Sequence, residues 1–139
     1  MKISDINVLI NKPILLYGKP GCGKTYISME LLKDTLLLNI NIELLKQIKD
    51  IEKYINDKIS KRNISLMFNK EKHRGLLIDD IDIFNKYDKN SFKNLINFIK
   101  KNKFYNIKCV ITCNNIFLKN KSLIKLKIEK YEIKYSYFE

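Results

Sequence analysis

A glycine-rich segment that ends in a lysine and a threonine carries the strongest chemical signal in the sequence. Residues 15–26 read LLYGKPGCGKTY and fit the pattern G-x-x-x-x-G-K-[ST], with Gly18, Gly23, Lys24 and Thr25 at the fixed positions. Glycines allow backbone N–H groups to turn inward, and the next helix adds unpaired donors and the positive end of its dipole. The pattern predicts a loop that binds a nucleoside triphosphate, with Lys24 on the β- and γ-phosphates and Thr25 on Mg²⁺.

The sequence on either side of this loop supports that interpretation. Residues 14–17 are a short apolar run suited to a buried strand, and residues 26–32 carry apolar side chains at helical spacing. The candidate nucleotide-binding set therefore runs without a gap through the loop and into the helix: Gly18, Lys19, Pro20, Gly21, Cys22, Gly23, Lys24, Thr25 and Tyr26.

Two adjacent carboxylates follow a later apolar run and form the second candidate site. Asp79 and Asp80 come directly after residues 76–78, which are suited to a buried strand. Ligands of open α/β sheets gather at the carboxyl ends of the strands, so both acids should face the triphosphate. We assign Asp79, with Thr25, to the metal ion, and Asp80 to the orientation of an attacking water. Asp82 is expected to be structural.

Two polar amides follow the strand-like segment VITC. They are Asn114 and Asn115, and an asparagine in this position is often only a turn residue. If the fourth strand lies between the first and the third, Asn114 could position the water and contact the γ-phosphate. The candidate catalytic residues are therefore Lys24, Asp80 and Asn114.

These residues need a scaffold, and the order of apolar segments predicts one. Strand-like and helix-like segments alternate, which favours βαβ units and a parallel sheet covered on both faces. We expect an α/β fold of three layers (α/β/α) with a five-stranded parallel sheet, formed by one domain over residues 1–139. The expected strands are 13–17, 35–42, 76–78, 106–113 and 132–138, and the expected helices are 24–34, 42–61 and 91–101, the last capped by Asn90 or Ser91.

Composition limits the function further. The net charge is +12, which is typical of a nucleic-acid footprint. However, nearly all basic residues are lysines, and abundant lysine, isoleucine and asparagine are also what AT-rich coding sequence produces. The three cysteines lack zinc-site spacing and fit a reducing compartment. Without a membrane-spanning stretch or signal peptide, we expect an intracellular, soluble protein of the nucleus, the cytoplasm or a viral replication site.

The segments LLYGKPGCGKT, LLIDDID and VITCNN together resemble the ATPase core of the AAA+ superfamily of P-loop NTPases. Within it the chain is most similar to the clamp loaders, particularly the large subunit of replication factor C. This resemblance implies that residues 18–25 are the Walker A loop, Asp79 the magnesium carboxylate, Asp80 the equivalent of the catalytic glutamate, and Asn114 the sensor-1 residue. It also implies ATP and Mg²⁺ as cofactors, clamp-loader-like subunits and a sliding clamp as partners in a hetero-oligomer, and non-specific contacts to DNA phosphates during replication.

The sequence departs from that family in ways that affect catalysis. Asp80 stands where clamp loaders usually have glutamate, and residues 1–139 contain neither the helical lid with its sensor-2 arginine nor the collar. No arginine-finger motif follows the fourth strand. We therefore expect a weak ATPase that needs partner subunits.

Two other functions stay open at this point. One is a catalytically idle scaffold or regulatory subunit that keeps its nucleotide only as a structural ligand. The other is a small nucleoside or nucleotide kinase, although such enzymes bring several arginines to the transferred phosphate and this chain has only Arg62 and Arg74.

Overall fold

A five-stranded parallel sheet organises the protein. The computed structural model describes residues 12–60, 74–101, 107–114 and 127–133. Its strands are β1 (Ile14–Tyr17), β2 (Leu36–Ile40), β3 (Arg74–Ile78), β4 (Ile107–Cys113) and β5 (Glu129–Glu132), and its helices are α1 (Lys24–Leu31), α2 (Ile42–Leu45), α3 (Ile51–Ser60), α4 (Ile81–Tyr87) and α5 (Lys89–Lys101). Among these helices, none has the length and apolar character that a membrane crossing requires.

The strand order brings the candidate site together. The order across the sheet is β2-β3-β4-β1-β5, and each neighbouring pair is parallel. In this register Leu16 lies opposite Thr112, and Ile78 lies opposite Ile111. The carboxyl ends of β1, β3 and β4 therefore meet at one edge of the sheet. The predicted fold class, and the predicted position of the fourth strand between the first and the third, are confirmed.

Alternate strand residues pack into two apolar layers, one on each face of the sheet. Leu15 belongs to one layer, whereas its neighbours Ile14 and Leu16 belong to the other. Residues of α2 to α5 fill the first layer, including Phe84 and Phe98, and residues of α1 fill the second. The sheet is thus covered on both faces, and the strands that carry the site residues are fixed from both sides.

The prediction of one long helix over residues 42–61 is wrong, because the structure has two separate helices there, α2 and α3. The Asn41 side chain accepts a hydrogen bond from the Leu44 N–H at 3.0 Å, and Asp50 Oδ1 accepts one from the Lys53 N–H at 3.1 Å. Each of these two side chains satisfies a free donor at a helix start. Apolar residues continue at helical spacing across the break, so periodicity alone did not reveal it.

The boundaries of α5 also differ from the expectation. Neither Asn90 nor Ser91 is the N-cap, because Asp88 takes that role. Its Oδ1 accepts from the N–H groups of both residues, at 3.0 and 3.4 Å, and its Oδ2 accepts from the Ser91 hydroxyl at 3.0 Å. The preceding helix α4 was not expected. It begins directly after the acid pair and therefore helps to fix it.

The fifth strand lies earlier in the chain than the expected range of 132–138. It covers Glu129–Glu132 and pairs with β1, and residues 134–139 lie outside the described structure. As an edge strand, β5 carries polar and half-exposed side chains in place of a continuous apolar run. Only Tyr131 and the adjacent Ile133 join the layer under α1, so the sequence signal was weak.

Candidate functional site

Three glycines give the loop between β1 and α1 its shape. Gly21 has φ +80° and Gly23 has φ +93°, a backbone region that side-chain-bearing residues rarely adopt. A Cβ atom on Gly18 would lie 2.5 Å from the Ile133 carbonyl oxygen. Gly23 is also the N-cap of α1, and it has no side chain that could occupy the first-turn N–H groups. The loop therefore leaves backbone donors available to an anion.

Lys24 is buried at the centre of this loop. Its side chain is 5% exposed, and its Nζ donates hydrogen bonds to the carbonyl oxygens of Gly18 and Lys19, each at 3.0 Å. The Cys22 Sγ lies 3.7 Å from the same nitrogen. The ammonium group is thus held inside the loop, where phosphate oxygens would be stronger, charge-assisted acceptors than carbonyls.

The outer residues of the loop have a different environment. Lys19, Pro20 and Gly21 are exposed, and Tyr26 on α1 is 53% exposed. Cys22 is 1% exposed and packs in the layer under α1. The buried part of the predicted binding set therefore consists of Cys22 and Lys24.

The threonine of the loop and the first acid are in contact. Thr25 Oγ1 donates to Asp79 Oδ1 at 3.1 Å and lies 3.4 Å from Oδ2. The Asp79 N–H donates to the Ile40 carbonyl oxygen at 2.9 Å, which ties the acid to the end of β2. A hydroxyl and a carboxylate side by side are hard oxygen donors of the kind that Mg²⁺ prefers. The two residues predicted to serve the metal are brought together.

Asp80 adopts an unusual backbone conformation beside Asp79. It has φ 53° and ψ 56°, the left-handed region, and it is the only non-glycine residue with positive φ in the described parts of the chain. Such residues persist only where their surroundings hold them, and they cluster at functional sites. Asp80 then starts α4, so its side chain is placed where β3 turns into that helix.

The charge of Asp80 is disfavoured by its environment. Burial raises its pKa above the ordinary 3.8, and the charges of Asp79 and Asp82 raise it further, while Lys24 acts in the opposite direction. Because the folded pKa is raised, ionised Asp80 costs stability at neutral pH, and the cost disappears as pH falls below the ordinary value. The carboxylate is therefore retained at the expense of stability.

Asn114 joins the site through the third acid of the segment. Its backbone N–H donates to Asp82 Oδ2 at 3.3 Å, so Asp82 links the start of α4 to the end of β4. This contact agrees with the expected structural role of Asp82. Asn114 is half-buried at the same edge of the sheet as the acid pair, whereas Asn115 lies outside the described residues.

The two cysteines of β4 do not add a reactive group. Cys109 and Cys113 are both fully buried. Burial raises the pKa of Cys109 far above the usual range and raises that of Cys113 to about 12, with the Asp82 charge adding to the effect on Cys113. Both thiols stay protonated at neutral pH and pack as apolar side chains in the layer filled by α2 to α5.

One residue of the site was missed in the sequence. Thr112 is fully buried at the end of β4, and its Oγ1 donates to Asp79 Oδ1 at 2.7 Å and accepts from the Asp80 N–H at 2.9 Å. A threonine within CVITCN has the character of an ordinary β-branched strand residue. Aligning the ends of β3 and β4 would have placed it beside the acid pair.

The chain matches the ATPase family associated with various cellular activities (AAA) over residues 14–135. Among solved structures it is similar to PCH-2 of C. elegans, with a TM-score of 0.60 and 18% identity over 95% of this chain and 38% of that one. It is also similar to a chain of the HORMA:CdnC:Trip13 complex of E. coli MS115-1, with a TM-score of 0.59 and 14% identity over 88% of this chain and 44% of that one. A search of curated proteins found no match.

These comparisons agree with the geometry of the loop and the acid pair. The two solved structures establish the fold alone at such low identities, and this chain spans less than half the length of either one. The family match carries more weight, because it covers most of this chain and includes the loop, both acids, Thr112 and Asn114. The chain belongs to the AAA family of ATPases, as the three sequence motifs predicted.

Proposed function

We propose that this chain binds ATP with Mg²⁺ at the carboxyl ends of β1, β3 and β4, and works as an ATPase subunit of a hetero-oligomer. The observation that carries the proposal is the contact between Thr25 Oγ1 and Asp79 Oδ1 at 3.1 Å. This contact joins the phosphate loop to the acid pair, although Thr25 and Asp79 are 54 residues apart in sequence. Such a junction is required when one metal ion must contact both a phosphate and a carboxylate.

Each residue has a defined part in this proposal. The loop N–H groups and the Lys24 ammonium bind the phosphates, while Thr25 and Asp79 hold Mg²⁺, which supplies positive charge for the phosphate oxygens. Asp80 orients the attacking water. Asn114 contributes an amide at the same edge of the sheet.

The proposal is tested by calorimetric titration of the purified chain with ATP in two buffers, one that contains Mg²⁺ and one that contains EDTA. We expect saturable binding of one ATP, and weaker binding in EDTA because the Thr25 hydroxyl and the Asp79 carboxylate then lack the ion that joins them to the phosphates. ADP serves as the comparison ligand that lacks the γ-phosphate. Absence of ATP binding by the folded chain in both buffers would refute the proposal.

A finer assignment is to DNA replication, as a clamp-loader-like subunit that works with a sliding clamp. Its support is the resemblance of the three motifs, the net charge of +12 and the surface of α5. This helix contains no acidic residue, and its exposed lysines are Lys89, Lys93, Lys100 and Lys101. A chain of the HORMA:CdnC:Trip13 complex has a similar fold. If a pull-down of this chain from its native cell recovers a HORMA protein and no sliding clamp, the result would favour an ATPase that acts on a protein over one that acts in DNA replication.

DNA contact has its own measurable consequence. If the basic surface binds duplex DNA, log affinity should fall linearly with log salt, by about 0.9 for each phosphate neutralised. The test variant combines Lys89→Gln, Lys93→Gln and Lys100→Gln on α5. It should lower the slope of log affinity against log salt by up to about 3. The matched control changes three exposed lysines near α3, in the variant Lys49→Gln with Lys53→Gln and Lys58→Gln.

Binding to primer–template DNA is measured by fluorescence anisotropy between about 50 and 200 mM salt. Equal slopes for the two triple variants would remove α5 from the DNA surface. If no binding is found at the lowest salt, the abundance of lysine would be attributed to AT-rich coding sequence and not to DNA contact.

A further inference from the structure

The hydroxyl group of Thr112 stands between the two acids and contacts both. It lies 2.7 Å from Asp79 Oδ1 and 2.9 Å from the Asp80 backbone nitrogen, and the side chain is fully buried. Val110, which lies two residues earlier on the same face of β4, belongs to the apolar layer under α1. The threonine hydroxyl is therefore a buried polar group beside an apolar layer, and its hydrogen bonds are to the acid pair.

The direction of the two hydrogen bonds follows from the number of protons available. The Asp80 N–H is a donor only, so the threonine oxygen must accept from it. The single hydroxyl proton of Thr112 is then free to be donated to Asp79 Oδ1. That carboxylate oxygen also accepts from Thr25 Oγ1 at 3.1 Å, so the first acid is held between the loop and β4.

The same hydroxyl holds the second acid by its backbone. Asp80 has the left-handed conformation and lies past Ile78, the last residue of β3. The bond to Thr112 gives the part-buried Asp80 N–H a partner and so supports the conformation. One side chain of β4 therefore sets the carboxylate direction of Asp79 and the backbone direction of Asp80.

We propose that Thr112 is a positioning residue of the ATP site, which holds Asp79 in the orientation needed for Mg²⁺ and Asp80 in the orientation needed for the attacking water. The inference rests on the proposed function and names a residue beyond those predicted for the site. Residues that orient a metal ligand typically change metal affinity by about 10- to 100-fold when they are removed. Thr112 acts through Asp79 and Asp80.

The test compares two pairs of variants that differ mainly in the hydroxyl group. Threonine and valine have nearly the same shape, and alanine differs from serine only by the loss of the hydroxyl group, so Thr112→Val is compared with the unchanged chain and Thr112→Ala with Thr112→Ser. The measurement is the ratio of ATP dissociation constants in EDTA and in Mg²⁺. We expect the valine and alanine variants to lose about tenfold of the gain in affinity that Mg²⁺ gives, with little change in EDTA. Thr112→Ser should retain the gain.

Each outcome decides the inference. An equal loss of affinity in Mg²⁺ and in EDTA would show a general packing role and would overturn it, as would a valine variant with the unchanged ratio. Should Thr112→Val fail to fold, the serine and alanine pair gives the answer. Failure of both hydroxyl-free variants to fold would make the hydroxyl a requirement of the fold and would also overturn the inference. If the unchanged chain does not bind ATP in either buffer, the proposed function itself fails.

Discussion

Purified alone, the chain is expected to hydrolyse bound ATP far below 1 s⁻¹, and about 10³- to 10⁵-fold more slowly than in an assembly where a neighbouring subunit donates an arginine. Phosphoryl transfer needs positive charge on the γ-phosphate as the transition state forms. Lys24 and Mg²⁺ supply part of that charge. The remaining part would come from a guanidinium group, and the chain has two arginines.

The position of Arg74 explains why it does not provide that group. It lies at the first residue of β3, and its guanidinium donates to the Lys58 carbonyl oxygen. Asp79 and Asp80 follow the opposite end of the same strand, so about 13 Å of strand separates Arg74 from the site. The other arginine, Arg62, lies outside the described residues. Arg74 is therefore not placed to act on the γ-phosphate, and we expect the arginine that accelerates hydrolysis to come from another subunit.

Replacement of the second acid separates binding from hydrolysis. In Asp80→Asn, ATP affinity should stay within about threefold, because Lys24, Thr25 and Asp79 are unchanged, while the acceleration by a partner subunit should be lost. The variant should be at least as stable as the unchanged chain. Asparagine tolerates the left-handed conformation, and the change removes a carboxylate whose pKa is raised by burial and by Asp79 and Asp82.

Single-turnover hydrolysis by the purified chain is the measurement for this prediction, followed by the same assay with the subunits recovered from its native cell. Asp34→Asn, in the exposed turn after α1, is the matched control and should hydrolyse at the unchanged rate. An unaided rate near 1 s⁻¹ would show a self-sufficient ATPase. A partner that accelerates Asp80→Asn as much as the unchanged chain would remove the assigned role of Asp80.

Removal of the buried lysine should weaken ATP binding by about tenfold or more. Lys24→Ala deletes the ammonium group of a residue that is 5% exposed and whose Nζ already contacts the loop carbonyls. Charge-assisted hydrogen bonds in such surroundings contribute about 1.5–3 kcal/mol, and about 1.4 kcal/mol corresponds to a factor of ten in affinity. Calorimetric titration with ATP and Mg²⁺ measures the change directly.

The control for Lys24→Ala removes the same charge from an exposed site. Lys53→Ala on α3 lowers the net charge equally and should leave ATP affinity unchanged. Circular dichroism of both variants shows whether the fold is kept, since Lys24 also bonds to the carbonyls of Gly18 and Lys19. Unchanged affinity in a folded Lys24→Ala protein would contradict the assignment of the loop.

The fold, and the proximity of Thr25 and Asp79 in the candidate site, could be predicted because they depend on local signals. Gly18, Gly23, Lys24 and Thr25 stand at fixed spacing within one loop, and Asp79 follows an apolar run that needs no tertiary information to be identified. Alternating strands and helices then predict a parallel sheet, and a parallel sheet brings strand ends together. The contact between Thr25 and Asp79 is the tertiary consequence of those local patterns.

The features that sequence did not reveal depend on competition between neighbours. Asp88 lies close to Asn90 and Ser91, and any of the three could cap a helix; the structure selects Asp88 because its carboxylate reaches both N–H groups. Asp50 interrupts an apolar pattern that would otherwise continue. Thr112 has meaning only through the register of β3 and β4, which the sequence of either strand alone does not specify.

The pairing of β1 determines when the chain can first bind its nucleotide during synthesis. This strand is near the start of the chain, yet both of its neighbours in the sheet, β4 and β5, are made much later. The Gly18 N–H donates to the Cys113 carbonyl oxygen at 3.3 Å, and the Ile133 N–H donates to the Tyr17 carbonyl oxygen at 2.8 Å. The peptide group that joins Tyr17 to Gly18 is therefore anchored on both sides by residues that leave the ribosome long after the loop.

At about 5–20 residues per second, the ribosome needs roughly 6–23 s to travel from Gly18 to Ile133. Until β4 and then β5 have been made, the loop has its glycines and Lys24 but lacks the two strands that flank β1. We therefore do not expect ATP to act as an early template for this domain. We therefore expect a nascent chain to gain the ligand's stabilising effect only after β5 has docked, so nucleotide binding would report that the five-stranded sheet has been assembled.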